Sequence, residues 1–153
     1  MAIARHIASN FKGRNGEHLY DMRDHETCYQ VDLIINEIGE LYKHWVKFTI
    51  PFFPTYKDKD DHFVTFVCKT FPAHLAKLET RLTAHKGKFI AGKSLTLGDF
   101  VAAIPFLLLS HNDGYENSHI VNAVVANYPR TKAWIDNFFA MNKESLAKNI
   151  RPF

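Results

Sequence analysis

The chain is short of cysteine, of long apolar runs and of any excess of one charge sign, and each shortage removes a class of protein. Cys28 and Cys68 are its two cysteines, too few and too far apart for a CxxC motif or a disulfide framework. Both lie in apolar, helix-like surroundings, so buried free thiols in a reducing compartment are expected. No apolar run approaches the ~20 residues of a membrane span. The longest, AAIPFLLL at 102–109, is far shorter and holds Pro105. The N-terminus shows no basic start followed by an apolar block, as a signal peptide would. A net charge of +3, with acids and bases interleaved as in KDKDDH at 57–62, offers no basic face for nucleic acid. The nine histidines include no pair spaced i, i+3 or i, i+4, so no adjacent helical pair of metal ligands forms. The expectation is a cytoplasmic protein with no membrane span, no nucleic-acid partner and no metal.

What is present is helical periodicity. With 153 residues, 46% of them hydrophobic, the chain is long enough for one domain with a substantial core. It opens with MAIARHIASN, in which Ile3 and Ile7 share a helical face with Phe11 one turn on and Ala4 and Ala8 alongside. No capping residue precedes this helix, where Ser, Thr, Asp or Asn is normal. A loop follows, signalled by Gly13 and the Asn15-Gly16 pair. Cys28, Val31, Ile35, Ile38, Tyr42 and Trp45 then step by three or four, widened by Ile34, Leu41 and Phe48. They predict a helix over 26–48 that stops before Pro51. The stretch 51–62 reads as a connector. Val64, Val67, Phe71, Leu75, Leu78 and Leu82 predict a second long helix, kinked at Pro72 and ended by Gly87. The two long helices are expected to pack as an antiparallel pair.

AGKSLTLGDF at 91–100 is the most informative short stretch. Thr96 and Asp99 have the spacing of a capping box, and Leu95 and Phe100 that of a hydrophobic staple. Asp99 therefore reads first as a helix cap, with a catalytic acid as the sharper alternative. The helix that follows, FVAAIPFLLL, has no polar face and belongs in the centre of the domain. Beyond the loop at 111–117, Ile120, Val121, Val124 and Val125 suggest a short helix ending near Tyr128. Pro129 suits the first turn of the next helix, which carries Trp134, Ile135, Phe138 and Phe139. KESLAKNI at 143–150 forms a last turn or two. No strand alternation, repeat or low-complexity tract appears, so the fold class is all-α.

Four of these stretches, in order, resemble the glutathione S-transferase family, nearest to its alpha, mu, pi and sigma classes. AIARHIA is similar to the end of the family's thioredoxin-like domain, where a Gln-Ser pair for glutathione stands just before it. FPAHLAKLETRL at 71–82 is similar to the segment leading into the cap, and G-x-x-L-T-x-x-D-F at 92–100 looks like the family's capping box and staple. NYPRTKAW at 127–134 looks like its YP turn, with Thr131 where Leu is common. The resemblance implies a C-terminal helical bundle over 12–153, preceded at 1–11 by an orphan helix, the remnant of a thioredoxin-like domain. On that basis the Gln-Ser pair, the cis-proline and the catalytic Tyr or Ser are missing. No catalytic residue and no glutathione cofactor site are assigned to this chain. Activity is expected only if a thioredoxin-like domain supplies glutathione.

The same resemblance nominates positions. Tyr42 and Trp45 match the family's pocket for hydrophobic electrophiles, and Ile150 and Phe153 could form a lid; plain core is the alternative for each. Glu40 matches an acid that touches glutathione across the dimer. The three aspartates that bind a divalent cation in sigma-type enzymes are here Asn36, Gly39 and Glu40, so that site looks absent. Ile3, Ile7 and Phe11 are interface candidates, because an exposed Ile-sized side chain forgoes ~1.5–3 kcal/mol of burial; Asp32, on an otherwise apolar face, reads first as structural, with an inter-subunit interface role as the alternative. The implied partners are a thioredoxin-like domain or another protein packing on 1–10, and a possible homodimer. Three functions fit: half of a glutathione transferase, a non-catalytic assembly module of a larger complex, or a carrier of hydrophobic ligands.

Overall fold

A computed structural model describes residues 2–10, 12, 16–51, 56–85 and 88–149. Among them are seven α-helices: α1 (Ala2–Asn10), α2 (His25–Thr49), α3 (Lys59–Thr65), α4 (Phe71–His85), α5 (Leu97–Leu109), α6 (Ser118–Val125) and α7 (Pro129–Asn149). No strand is present among the described residues; Lys12 and His18 form an isolated bridge. Phe11, Gly87, Ile150 and Phe153 lie outside the described residues.

α2 begins at His25, one residue before the expected start at 26, because Asp24 caps it, accepting from the Thr27 N–H at 3.0 Å and the Thr27 hydroxyl at 2.7 Å. Its buried face runs from Val31 through Ile34, Ile35, Ile38 and Leu41 to Trp45 and Phe48. It ends where Ile50, extended at φ −109°, precedes Pro51.

The connector expected over 51–62 is shorter than that. A 3-10 turn at Tyr56–Asp58 leads into α3 at Lys59. Periodicity missed this start because its first turn is polar; Asp60 and Asp61 there face the positive end of the helix dipole. The kink expected at Pro72 takes the form of a π turn at Phe66–Thr70, with the Phe71 N–H donating to the Phe66 carbonyl. A residue with no N–H is accommodated by shifting the bonding register just before it. The exposed Cys68 lies in this turn, which corrects the expectation of two buried thiols; Cys28 is half-buried, and both are free.

α5 is the centre of the bundle, packed on α2 and α7. It continues through a buried Pro105 and buries Val101, Ala102, Ala103, Phe106 and Leu109. α6 stops at Val125, sooner than the sequence suggested, while α7 runs without interruption to Asn149 and takes in the described part of the segment expected to form a last turn or two. Glu79 of α4 caps α7 from outside, accepting from the Arg130 N–H at 3.0 Å, the Thr131 N–H at 2.8 Å and the Thr131 hydroxyl at 2.9 Å. A buried Thr131 in place of Leu is thereby satisfied. Burial raises the Glu79 carboxyl, but these hydrogen bonds outweigh it and hold it below its usual range.

α1 docks on α5 with its small residues, Ala8 buried and Ala4 half-buried against the core. Arg5 adds an ion pair to Asp32 of α2 at 2.8 Å. The isoleucines face outward, Ile3 77% and Ile7 49% exposed. Alanines permit the close helix approach, and the larger side chains beside them are left exposed.

Candidate functional site

The last turns of α2 bring Tyr42, Trp45 and Phe48 to one wall of a cavity of about 590 Å³. α3 contributes Lys59, Asp60 and Phe63, α5 contributes Leu108, and the α5–α6 loop contributes Asn112, Tyr115, Glu116 and Asn117. The helical step of three places Tyr42 directly beside Trp45, their rings edge-on with centroids 5.4 Å apart. Across the cavity Phe63 meets Phe48 at 5.5 Å and Tyr115 at 6.4 Å, both edge-to-face. Such pairs prefer this geometry and hold one another in place. Trp45 is 4% exposed and Tyr42 48% exposed, so Trp45 forms the floor and Tyr42 the accessible rim.

Of the positions nominated from sequence, Tyr42 and Trp45 therefore meet at one cavity. Phe48, Phe63, Leu108 and Tyr115 were not nominated. Phe48 was visible only as core, and Phe63 and Tyr115 fell just outside or within stretches that read as connector and loop. Glu40 lies outside the cavity lining and pairs with Lys43 at 2.6 Å on the exposed face of α2. Asp32 is engaged within the chain: besides Arg5, it accepts from the Tyr20 hydroxyl at 3.3 and 3.2 Å. Burial, then the Asp32 charge, pushes the Tyr20 phenol up. The Cys28 thiol beside it donates to the Asp21 carbonyl at 3.1 Å and is likewise pushed up by burial. A thiol held protonated is a poor nucleophile.

The cap at the start of α5 forms a second buried polar centre. Thr96 and Asp99 make the capping box, but the carboxylate does more than close one helix. Its Oδ2 accepts from the Thr96 N–H at 2.9 Å and the Thr96 hydroxyl at 2.8 Å. Its Oδ1 accepts from the Ile90 N–H at 2.9 Å and from the Trp134 indole N–H at 3.0 Å. Asp99 thus ties the α4–α5 loop and α7 to the central helix. Burial pushes its carboxyl up, opposed by these four hydrogen bonds. Leu95 and Phe100, the staple candidates, are half-buried against the core, and Phe100 meets Phe138 edge-to-face at 5.3 Å. Fully buried, with both carboxylate oxygens engaged by neighbouring donors, Asp99 is bonded as a fold-holding residue is.

Among the described residues no group of three or more His, Cys, Asp and Glu side chains is gathered as a metal would require. No described helix is long and apolar enough to cross a membrane.

These features define an all-helical domain built round a capped apolar helix, with an aromatic cavity at one end. The family model for the glutathione S-transferase C-terminal domain matches residues 41–144, well over half of the chain, and the chain belongs to that family. Neither the curated proteins nor the solved structures gave a match.

Proposed function

We propose that this chain provides the hydrophobic-ligand half of a glutathione-conjugating enzyme of the alpha, mu, pi and sigma type, acting in the cytoplasm. The observation that carries the reading is the aromatic cavity at the end of α2, with Tyr42 at its rim and Trp45 at its floor. Glutathione would be held by a thioredoxin-like domain seated on α1, and the electrophile would lie against the aromatic wall. The chain's own residues would contribute binding and orientation. Glu40, on the outer face of α2, would reach glutathione in a homodimer. Ile150 and Phe153 would close over the ligand.

The test is conjugation of 1-chloro-2,4-dinitrobenzene with a thioredoxin-like transferase domain fused ahead of α1. Turnover is expected in the fusion. Tyr42→Ala is expected to weaken electrophile binding about fivefold, the value of losing one aromatic contact of ~1 kcal/mol, and to lower the melting temperature by only about 3 °C through the lost packing on Trp45. A folded fusion that binds neither glutathione nor electrophile would overturn the proposal.

A second reading, a non-catalytic assembly module, is favoured by one observation: the outward Ile3 and Ile7 of α1. It predicts that the native protein co-purifies in a large complex and is not retained on glutathione resin.

A further inference from the structure

The cavity carries a charge pattern that a general hydrophobic pocket does not require. Resting on the reading that it is the ligand site, we infer that it selects organic cations, a protonated amine borne on an apolar and preferably aromatic body. The walls come first. Tyr42, Trp45, Phe63 and Tyr115 present aromatic rings to one space, and the negative faces of such rings attract ammonium groups more strongly as water is excluded.

The rim points the same way. Asp60 of α3 and Glu116 of the α5–α6 loop both line the cavity, both are exposed, and neither has an ion-pair partner among the described residues. Lys59, which also lines it, has an interaction of its own. The elements around the mouth continue the pattern. The segments that carry the lining of the mouth, 42–50, 57–65 and 110–117, hold Asp58, Asp60, Asp61, Asp113 and Glu116 against Lys43, Lys47, Lys57 and Lys59, and Lys43 is already paired with Glu40. The mouth is therefore weakly acidic in a chain whose net charge is +3. A cleft with apolar walls and one sign of charge focuses the field on an entering ligand.

A matched pair of tricyclic probes separates the possibilities. 9-Aminoacridine is a cation at neutral pH and anthracene-9-carboxylate an anion of similar size. Both are titrated calorimetrically into the full chain at low salt. The cation is expected to bind about tenfold tighter, with the preference weakened at about 0.5 M salt. The double substitution Asp60→Asn, Glu116→Gln is expected to bring the two probes within about twofold. Its melting temperature should fall by no more than about 3 °C, because both side chains are exposed and the Asp60 charge contributes only ~0.3–1 kcal/mol at the start of α3. Equal binding by the unaltered chain, or tighter binding of the anion, would overturn charge selection while leaving the cavity as a ligand site. Binding of neither probe would overturn this inference together with the reading on which it rests.

Discussion

Asp99→Asn is expected to lower stability by about 3 kcal/mol or more and the melting temperature by about 10 °C. The carboxylate accepts four hydrogen bonds, two at each oxygen. An asparagine has one acceptor oxygen, and its amide would set N–H donors against two of the four donors at a fully buried site. The penalty is large because the stranded donors cannot reach water, whereas a lost exposed bond is replaced by solvent. Trp134→Phe, which removes one donor and part of the indole's volume from the core, is expected to cost about 2 kcal/mol. Urea denaturation of both variants checks the expectation. An Asp99→Asn protein melting within about 2 °C of the parent would mean that the buried carboxylate is not what holds α5, α7 and the α4–α5 loop together.

Acid is expected to remove about 3 kcal/mol through a single side chain, His74. This residue on α4 is 6% exposed and its Nε2 has no hydrogen-bond partner. Burial lowers its pKa from 6.5 to about 4; the Glu37 carboxylate pulls it up, and Lys77 and Arg81 push it further down. Glu37 itself is engaged by Arg81, between α2 and α4, so it is poorly placed to receive a second cation. A folded-state pKa below the unfolded value means that the fold prefers the neutral ring. Stability is therefore complete above pH 6.5 and falls between 6.5 and about 4 as the unfolded chain takes up the proton first. Stability against urea measured across that interval gives the slope. In His74→Leu most of this acid loss should disappear while neutral-pH stability holds or rises, since a buried unsatisfied ring nitrogen is removed. An unchanged pH profile in the variant would place the acid sensitivity elsewhere.

Legibility from sequence followed the apolar periodicity. α2 and α5 were readable nearly to the residue, because a buried stripe and a capping box are local signals. Pro129 marked the start of α7 for the same reason. The readings that failed lie where the deciding interaction is remote. The polar first turn of α3 hid its start, and Pro72 announced a distortion of the helix but not that it would be a π turn at Phe66–Thr70. Thr131 looked like a departure from its family's pattern until Glu79, distant in sequence, was found capping it. The cap on Asp99 was legible, but its bonds to Ile90 and Trp134 were not, since nothing local announces a contact across 35 residues. At the cavity, Tyr42 and Trp45 could be nominated from one helix, whereas Phe63 and Tyr115 join them only after three other segments are packed.

The chain's two tryptophans allow the ligand site to be tested in one measurement. Trp45 lies at the cavity floor and Trp134 is bonded to Asp99 in the core. In a two-dimensional nitrogen–proton NMR titration with a hydrophobic aromatic ligand such as 9-aminoacridine, the indole N–H signal of Trp45 is expected to shift progressively and saturably. That of Trp134 should stay in place. A saturating shift confined to Trp134, or none at either indole while ligand is bound, would place the ligand site elsewhere.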